Sequence, residues 1–84
     1  MQVTHEFDMS SRCPANGCLD RYEVSLTTDT FIAVEEILLF AEEFRSVKAF
    51  QENITQAFAD RFSARVVTYG THSKVRTKCE CSPQ

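Results

Sequence analysis

The sequence predicts one α+β domain over residues 1–84, an antiparallel four-stranded sheet with two helices on one of its faces. Three observations support this fold class. Apolar and polar side chains alternate in segments near both ends of the chain, which is typical of half-buried strands. The middle of the chain carries two apolar stripes at helical spacing. No linker or repeat divides these segments, which indicates one domain. The positions of the alternating and helical segments along the chain give the predicted element order β-β-α-α-β-β.

The first two strands are predicted from strict alternation. Every second residue of the segment 2–9 is apolar or carries a ring, and the residues between them are polar. The same pattern returns after a loop of turn-forming residues. The residues expected to face the core are Val3, His5, Phe7, Met9, Tyr22, Val24 and Leu26. We expect the two strands to pair as a hairpin despite the long loop between them.

The two helices are predicted from apolar side chains that recur every three or four residues. Thr28-Asp29-Thr30 offers N-caps for the first helix, and Ser46 offers one for the second. The stripe expected to face the core in the first helix is Phe31, Val34, Leu38 and Ala41, with Ile37 and Phe44 on its flank. The stripe of the second helix is Phe50, Ile54, Ala57, Phe58 and Phe62.

The last two strands complete the sheet. A β-rich run covers residues 65–69, residues 70–73 form a turn, and residues 74–81 alternate again. This pattern leaves one face of the sheet apolar for the helices. The other face collects the charged residues Glu6, Asp8, Glu23, Lys74, Arg76 and Lys78. Because acidic side chains share that face with basic ones, it is expected to be solvated or to line a tunnel rather than to bind nucleic acid.

The bulk composition excludes several classes of protein. Nine basic and twelve acidic residues give a formal charge of −3, which does not favour nonspecific binding to nucleic acid or to an anionic membrane. No apolar run approaches the roughly 20 residues of a membrane span. The first ten residues have no basic cluster and do not resemble a signal peptide. We therefore expect a cytosolic protein with reduced thiols and no membrane partner.

The candidate chemistry lies in the loop between the first two strands. Cys13 is followed by Pro14, and Asn16-Gly17 gives a strong turn signal. A thiol becomes a nucleophile as the thiolate, and this loop offers a polar, partly open setting for it. The turn can bring Asp20 toward the sulfur as a general acid or base. On spacing alone, a turn with an incidental cysteine is the simpler interpretation.

A resemblance to a known family strengthens the interpretation of Cys13 as a nucleophile. Cys13-Pro14 with Asp20, then Phe44-Arg45, then Phe50-Gln51-Glu52-Asn53, resembles in order and spacing the signature of the 7-cyano-7-deazaguanine reductases. These belong to the tunnelling-fold enzymes, which also include GTP cyclohydrolase I and use the same element order. The resemblance implies a tunnelling fold closed into a ring-shaped homo-oligomer, a pentamer or two stacked pentamers. Ring closure would also remove the two exposed sheet edges of so small a domain.

The resemblance assigns roles to individual residues. It implies that Cys13 attacks the nitrile carbon of 7-cyano-7-deazaguanine to form a thioimide, and that Asp20 transfers protons. It implies that Glu52 binds the purine-like edge, where a carboxylate accepts two parallel hydrogen bonds. Gln51 stands where the family has histidine, so it can hold a ligand but cannot relay protons. A histidine could instead come from His72 or His5 of a neighbouring subunit.

A second departure selects a branch of the family. The reductases carry a Glu-Ser-Lys-Ser-type stretch associated with NADPH, but residues 33–38 lack it. This stretch resembles the Ile-Glu-Glu stretch of the short reductase-like archaeosine synthases, which makes Glu36 a candidate binding residue. The resemblance then implies an amidinotransferase that resolves the thioimide with ammonia and needs no cofactor. An NADPH-dependent reductase remains the alternative, and the substrate is either the free base or its form bound in tRNA or DNA.

The four cysteines allow an interpretation from a different class, a non-catalytic binding protein whose oligomer is stabilised by zinc. Cys79 and Cys81 would lie on the same face of the last strand and could meet the Cys13 loop if that strand runs beside it. A single residue between two ligands is poor zinc spacing, however. We expect no metal site.

Overall fold

The computed structural model describes residues 1–84 and confirms the predicted order of elements. The strands are β1 (Val3–Arg12), β2 (Leu19–Thr28), β3 (Arg65–His72) and β4 (Val75–Cys81). The helices α1 (Val34–Glu43) and α2 (Gln51–Phe62) follow each other between β2 and β3. Neither helix has the length and apolar character needed to cross a membrane.

The four strands form one antiparallel sheet, as predicted, and their order in the sheet is β1-β2-β3-β4. One row of partners across the sheet is Phe7, Val24, Thr68 and Cys79. β1 and β4 are therefore the two edges, and β2 and β3 are central. Both helices pack on the face that carries this row.

The core lies between this face and the helices. Leu26, Val66, Ile54 and Phe58 have no exposed surface, and Phe58 is the centre of a cluster of aromatic rings. The other rings of the cluster are Phe7, Phe40, Phe44 and Phe62. The residues that fold the chain are thus ordinary apolar core residues, each contributing about 1.5–3 kcal/mol if fully buried.

The predicted inward stripes of the helices are partly wrong. In α1, Ile37 and Ala41 are buried, but Val34 and Leu38 remain about half exposed. The only strand beside α1 is the edge strand β1, so a narrower stripe is covered than in α2, which lies over β2, β3 and β4. In α2 the predicted Phe50 is 54% exposed, because the helix turns polar residues onto the sheet at its N-terminus.

The helix starts also differ from the prediction. Thr28 closes β2, and its hydroxyl accepts a hydrogen bond from the Thr30 backbone N–H at 3.2 Å instead of capping a helix. α1 begins after Ala33 and α2 after Phe50, neither with a side-chain cap. The segment after Ser46 forms a strand-like bridge to β1, which postpones α2 to residue 51.

The last turn is shorter than predicted. β3 continues through His72, and the turn to β4 consists of Ser73 and Lys74, both with positive φ. Lys74 therefore lies in the turn rather than on the sheet. On the face away from the helices, Arg76 lies 3.5 Å from Glu23 and 4.1 Å above the Tyr69 ring. Charges of both signs therefore share this face.

Candidate functional site

The loop that carries Cys13 is tightly closed. The backbone N–H of Cys13 donates to the Cys18 carbonyl at 2.8 Å, and the N–H of Gly17 donates to the Cys13 carbonyl at 2.8 Å. The Asn16 side chain accepts a hydrogen bond from the Cys18 N–H, and Gly17 takes a φ of 74° that glycine tolerates best. Cys13 is held partly exposed and unpaired, as a nucleophile requires.

A second contact fixes this loop beside the start of α2. The N–H of Arg12 donates to the Val47 carbonyl at 2.9 Å, and the N–H of Ala49 donates to the Arg12 carbonyl at 3.1 Å. Because the bridging segment leads directly into α2, the N-terminus of that helix is held near the end of the β1–β2 hairpin. Backbone pairing thus brings two parts of the predicted site together that are far apart in the sequence.

Asp20 and Tyr22 lie on the helix-facing side of β2. The Tyr22 hydroxyl donates a hydrogen bond to Asp20 Oδ2 at 3.4 Å. Burial, and then the charge of Asp20, raises the pKa of Tyr22 to about 12, and the negative charge of the Cys13 thiolate adds to this rise. Tyr22 is therefore a neutral hydrogen-bond donor at physiological pH. Asp20 and Cys13 make no direct hydrogen bond, but both act on this phenol.

His72 connects Asp20 to the start of α2. Its Nδ1 lies 3.9 Å from Asp20 Oδ1, and its Nε2 lies 3.3 Å from Gln51 Oε1. Gln51 is only 3% exposed, and its Nε2 donates to the carbonyls of Thr68 and Thr77 and to the Thr68 hydroxyl at 3.0–3.2 Å. His72 thus lies beside Asp20 of its own chain.

Two of the predicted substrate-binding residues lie apart from this cluster. Glu52 is exposed in the first turn of α2, on the side toward β4. The pKa of the Cys79 thiol is raised first by burial of Cys79 and then by the charge of Glu52. Glu36 is exposed in the first turn of α1. It lies seven positions before Glu43, the last residue of the helix, a rise of roughly 10 Å.

The single chain offers an open cleft rather than an enclosed pocket. The cleft has a volume of about 890 Å³, and its wall includes Asp20 and Tyr22 from β2 and Ala41 and Arg45 at the end of α1. The other predicted site residues lie outside its lining: Cys13, Gln51, Glu52, Glu36 and His72.

Sequence reasoning missed three residues of the site. Tyr22 was assigned only to the core, although it follows Asp20 by two positions and must share its face. Gly70 stands opposite Tyr22 in β3 and gives the phenol ring its space. Ser11 has no exposed surface and faces Asp20 across the hairpin. Its hydroxyl has no hydrogen-bond partner of standard geometry. It nevertheless lies near enough to the Tyr22 phenol to lower the pKa of Tyr22, against the rise caused by burial. Alternation in β1 was the available signal for Ser11.

The cysteines are all unpaired, and the suggested meeting of Cys79 and Cys81 with the Cys13 loop is wrong. β4 and β1 are opposite edges of the sheet, separated by three strand spacings or about 14 Å. Burial raises the pKa values of both β4 thiols, followed by the charge of Glu52 for Cys79 and of Asp60 for Cys81. No group of three or more His, Cys, Asp or Glu side chains is arranged to hold a metal ion.

Comparisons with known proteins agree with the fold. No protein-family model matches the chain, and no curated protein matches it. Among solved structures, the chain is similar to the crystal structure of the archaeosine synthase QueF-Like in the apo form. The TM-score is 0.91 with 16% sequence identity, and the match covers 98% of this chain and 92% of that one. This likeness confirms the predicted tunnelling fold.

Proposed function

We propose that this chain is an enzyme of 7-deazaguanine modification. It forms a covalent thioimide between Cys13 and the nitrile of 7-cyano-7-deazaguanine, either free or bound in a nucleic acid, and resolves it with ammonia to the amidine. The observation that carries the proposal is that the charges of the partly exposed, unpaired Cys13 and of Asp20 both act on the Tyr22 phenol, with His72 3.9 Å from Asp20. The matched fold, which is that of an archaeosine synthase, supports it.

The proposed reaction has two steps, and both of them pass through Cys13. The Cys13 thiolate adds to the nitrile carbon, one π bond of the nitrile moves to nitrogen, and the nitrogen takes a proton by way of Asp20. Ammonia then adds to the thioimide carbon and displaces the Cys13 thiolate, which leaves an amidine. This sequence neither oxidises nor reduces the substrate, so no nicotinamide is required.

Recognition of the base is assigned to carboxylates. Glu52 binds the amino-lactam edge of the base through two parallel hydrogen bonds. Gln51 contributes by positioning His72 rather than by binding the base. Its amide nitrogen already has three acceptors, and its amide oxygen faces His72. Glu36 and Glu52 lie outside the lining of the cleft beside Asp20, and we assign them to a neighbouring copy in a ring of five subunits, single or stacked. The half-open cleft beside Asp20 fits a site between subunits.

The test is intact-protein mass spectrometry of reduced protein mixed with 7-cyano-7-deazaguanine, and separately with a tRNA or DNA oligonucleotide that carries the nitrile. We expect an added mass of one ligand in the native protein and in Cys18→Ala, a control in the same loop. Cys13→Ala should show none. Absence of an adduct with both forms of the substrate contradicts the proposal.

A second step separates amidinotransfer from reduction. Ammonia added to the adduct should restore the free protein mass and release the amidine, whereas NADPH should leave the adduct unchanged. Release of an amine with consumption of NADPH would instead identify a reductase. Zinc that copurifies in stoichiometric amount and is lost in Cys79→Ser, without any adduct, would identify the zinc-stabilised binding protein.

A further inference from the structure

The orientation of the Gln51 side chain is fixed by its surroundings. One end of the amide faces the carbonyl oxygens of Thr68 and Thr77 at 3.2 and 3.0 Å, and both of these can only accept hydrogen bonds. That end must therefore be the NH₂ group. The opposite end is the carbonyl oxygen Oε1, and it faces His72. The Thr55 hydroxyl donates to the backbone carbonyl of Gln51 at 2.8 Å, which holds the main chain of this residue from within α2.

The amide oxygen in turn fixes the histidine. Oε1 is an acceptor, so His72 Nε2, 3.3 Å away, must carry a hydrogen to bond it. A neutral imidazole has one N–H only, which leaves Nδ1 as the free, basic nitrogen. Nδ1 is the atom that faces Asp20 Oδ1, at 3.9 Å. The proton that His72 gains or loses is consequently held on the side of the ring next to the Asp20 carboxylate.

We propose that His72 is the proton reservoir of Asp20: its Nδ1 holds the proton that Asp20 delivers to the nitrile nitrogen. The proposal rests on the proposed function for the identity of the reaction. The cluster takes the proton of the Cys13 thiol, His72 stores it as an imidazolium next to the Asp20 carboxylate, and thiolate addition returns it through Asp20 to the imide nitrogen. The thioimide then carries the proton that the thiol lost, and His72 ends neutral.

The surroundings of His72 suit this task. From β2 it meets the charge of Asp20 and the phenol of Tyr22, whose ring centre is 6.0 Å away. From β4 its register partner is the apolar Val75, and from α2 it meets only the neutral Gln51. Asp20 is therefore the one carboxylate that faces the titrating nitrogen. The His72 side chain is 39% exposed, so it can exchange its proton with solvent between turnovers.

The first test reads the tautomer directly and needs no substrate. The chain has two histidines, so ¹⁵N spectra of imidazole-labelled protein can be assigned by comparison with His5→Asn. We expect the neutral form of His72 to carry its hydrogen on Nε2, and the second proton to arrive on Nδ1 at lower pH. A neutral His72 with its hydrogen on Nδ1 overturns the proposal, whatever the activity of the protein.

The second test measures the rate of adduct formation. His72→Asn keeps an amide near the position of Nδ1 but holds no titratable proton, and His5→Asn is the matched control on the same face of the sheet. We expect His72→Asn to slow adduct formation roughly 100-fold and to flatten the pH dependence of its rate. The final adduct stoichiometry should stay unchanged.

The two proposals can fail separately. An unchanged rate and pH profile in His72→Asn refutes the relay while the thioimide stands. A native protein that forms no adduct refutes the proposed function and the relay with it. A His72→Asn protein that loses its fold is replaced by His72→Gln, which preserves a donor toward Gln51 and is expected to show the same loss of rate.

Discussion

Gly70 provides the most direct structural test of the cluster around Tyr22. A Cβ atom at this position would lie 2.5 and 2.6 Å from two ring carbons of Tyr22 and 3.3 Å from Gln51 Oε1. Carbon atoms in contact prefer about 3.5–4.0 Å, so Gly70→Ala requires the ring to retreat by roughly 1 Å. Tyr22 is only 2% exposed. Overpacking of this kind costs about 1–3 kcal/mol.

The assay is urea and thermal denaturation of Gly70→Ala beside Thr71→Ala, an exposed neighbour in the same strand. For a domain of this size we expect the melting temperature of Gly70→Ala to fall by about 5–20 °C, and the control to stay within about 0.5 kcal/mol. Replacement of glycine in a strand normally stabilises by reducing the freedom of the unfolded chain. A Gly70→Ala protein as stable as the control would therefore refute the packing described for Tyr22.

Three further outcomes are expected. Gln51→Leu should lower the free energy of unfolding in urea by about 2–4 kcal/mol, because it leaves the buried carbonyl of Thr68 and the half-buried carbonyl of Thr77 without this donor. The control Gln56→Leu, in the same helix but at an exposed contact, should change stability far less. Equal losses in the two variants would contradict the role of Gln51. The Tyr22 phenol, read as the absorbance difference between the native protein and Tyr22→Phe, should titrate near pH 12, because its pKa is raised to about 12. Because the folded state holds this proton more tightly, the stability that it contributes is fully present below pH 10 and is lost as the pH rises toward 12. A titration midpoint of the phenol near pH 10 would refute its burial. Cys79, whose pKa is raised by burial, should react with iodoacetamide more slowly at pH 8 than the exposed Cys18, and the opposite order in peptide mapping would count against it.

Local patterns predicted the strands and the Cys13 loop well, because alternation and turn residues act over a few positions. The start of α2 could not be predicted from Ser46, since it depends on backbone pairing of the preceding segment with Arg12. The inward face of α1 depends on how far the helix extends beyond β1, which its own periodicity does not encode.

The same distinction holds for the site. The spacing of Cys13 and Asp20 was visible in the sequence because one hairpin holds both. The contact of His72 with Asp20 and Gln51 requires the register of β3 against β2 and the docking of α2 on the sheet. These are properties of the folded chain. The sequence shows that Gln51 replaces the motif histidine, but it does not show that Gln51 orients His72.

The most direct test of the central claim is protection of Cys13 by the nitrile. Trypsin releases residues 13–21 as one peptide, so Cys18 serves as an internal reference for Cys13. Native protein is treated briefly with iodoacetamide, with and without 7-cyano-7-deazaguanine and with the nitrile bound in nucleic acid, and the two thiols are quantified by fragmentation. The account predicts that one of the nitrile forms blocks alkylation of Cys13 and leaves that of Cys18 unchanged. Equal alkylation of Cys13 with and without both forms would contradict it.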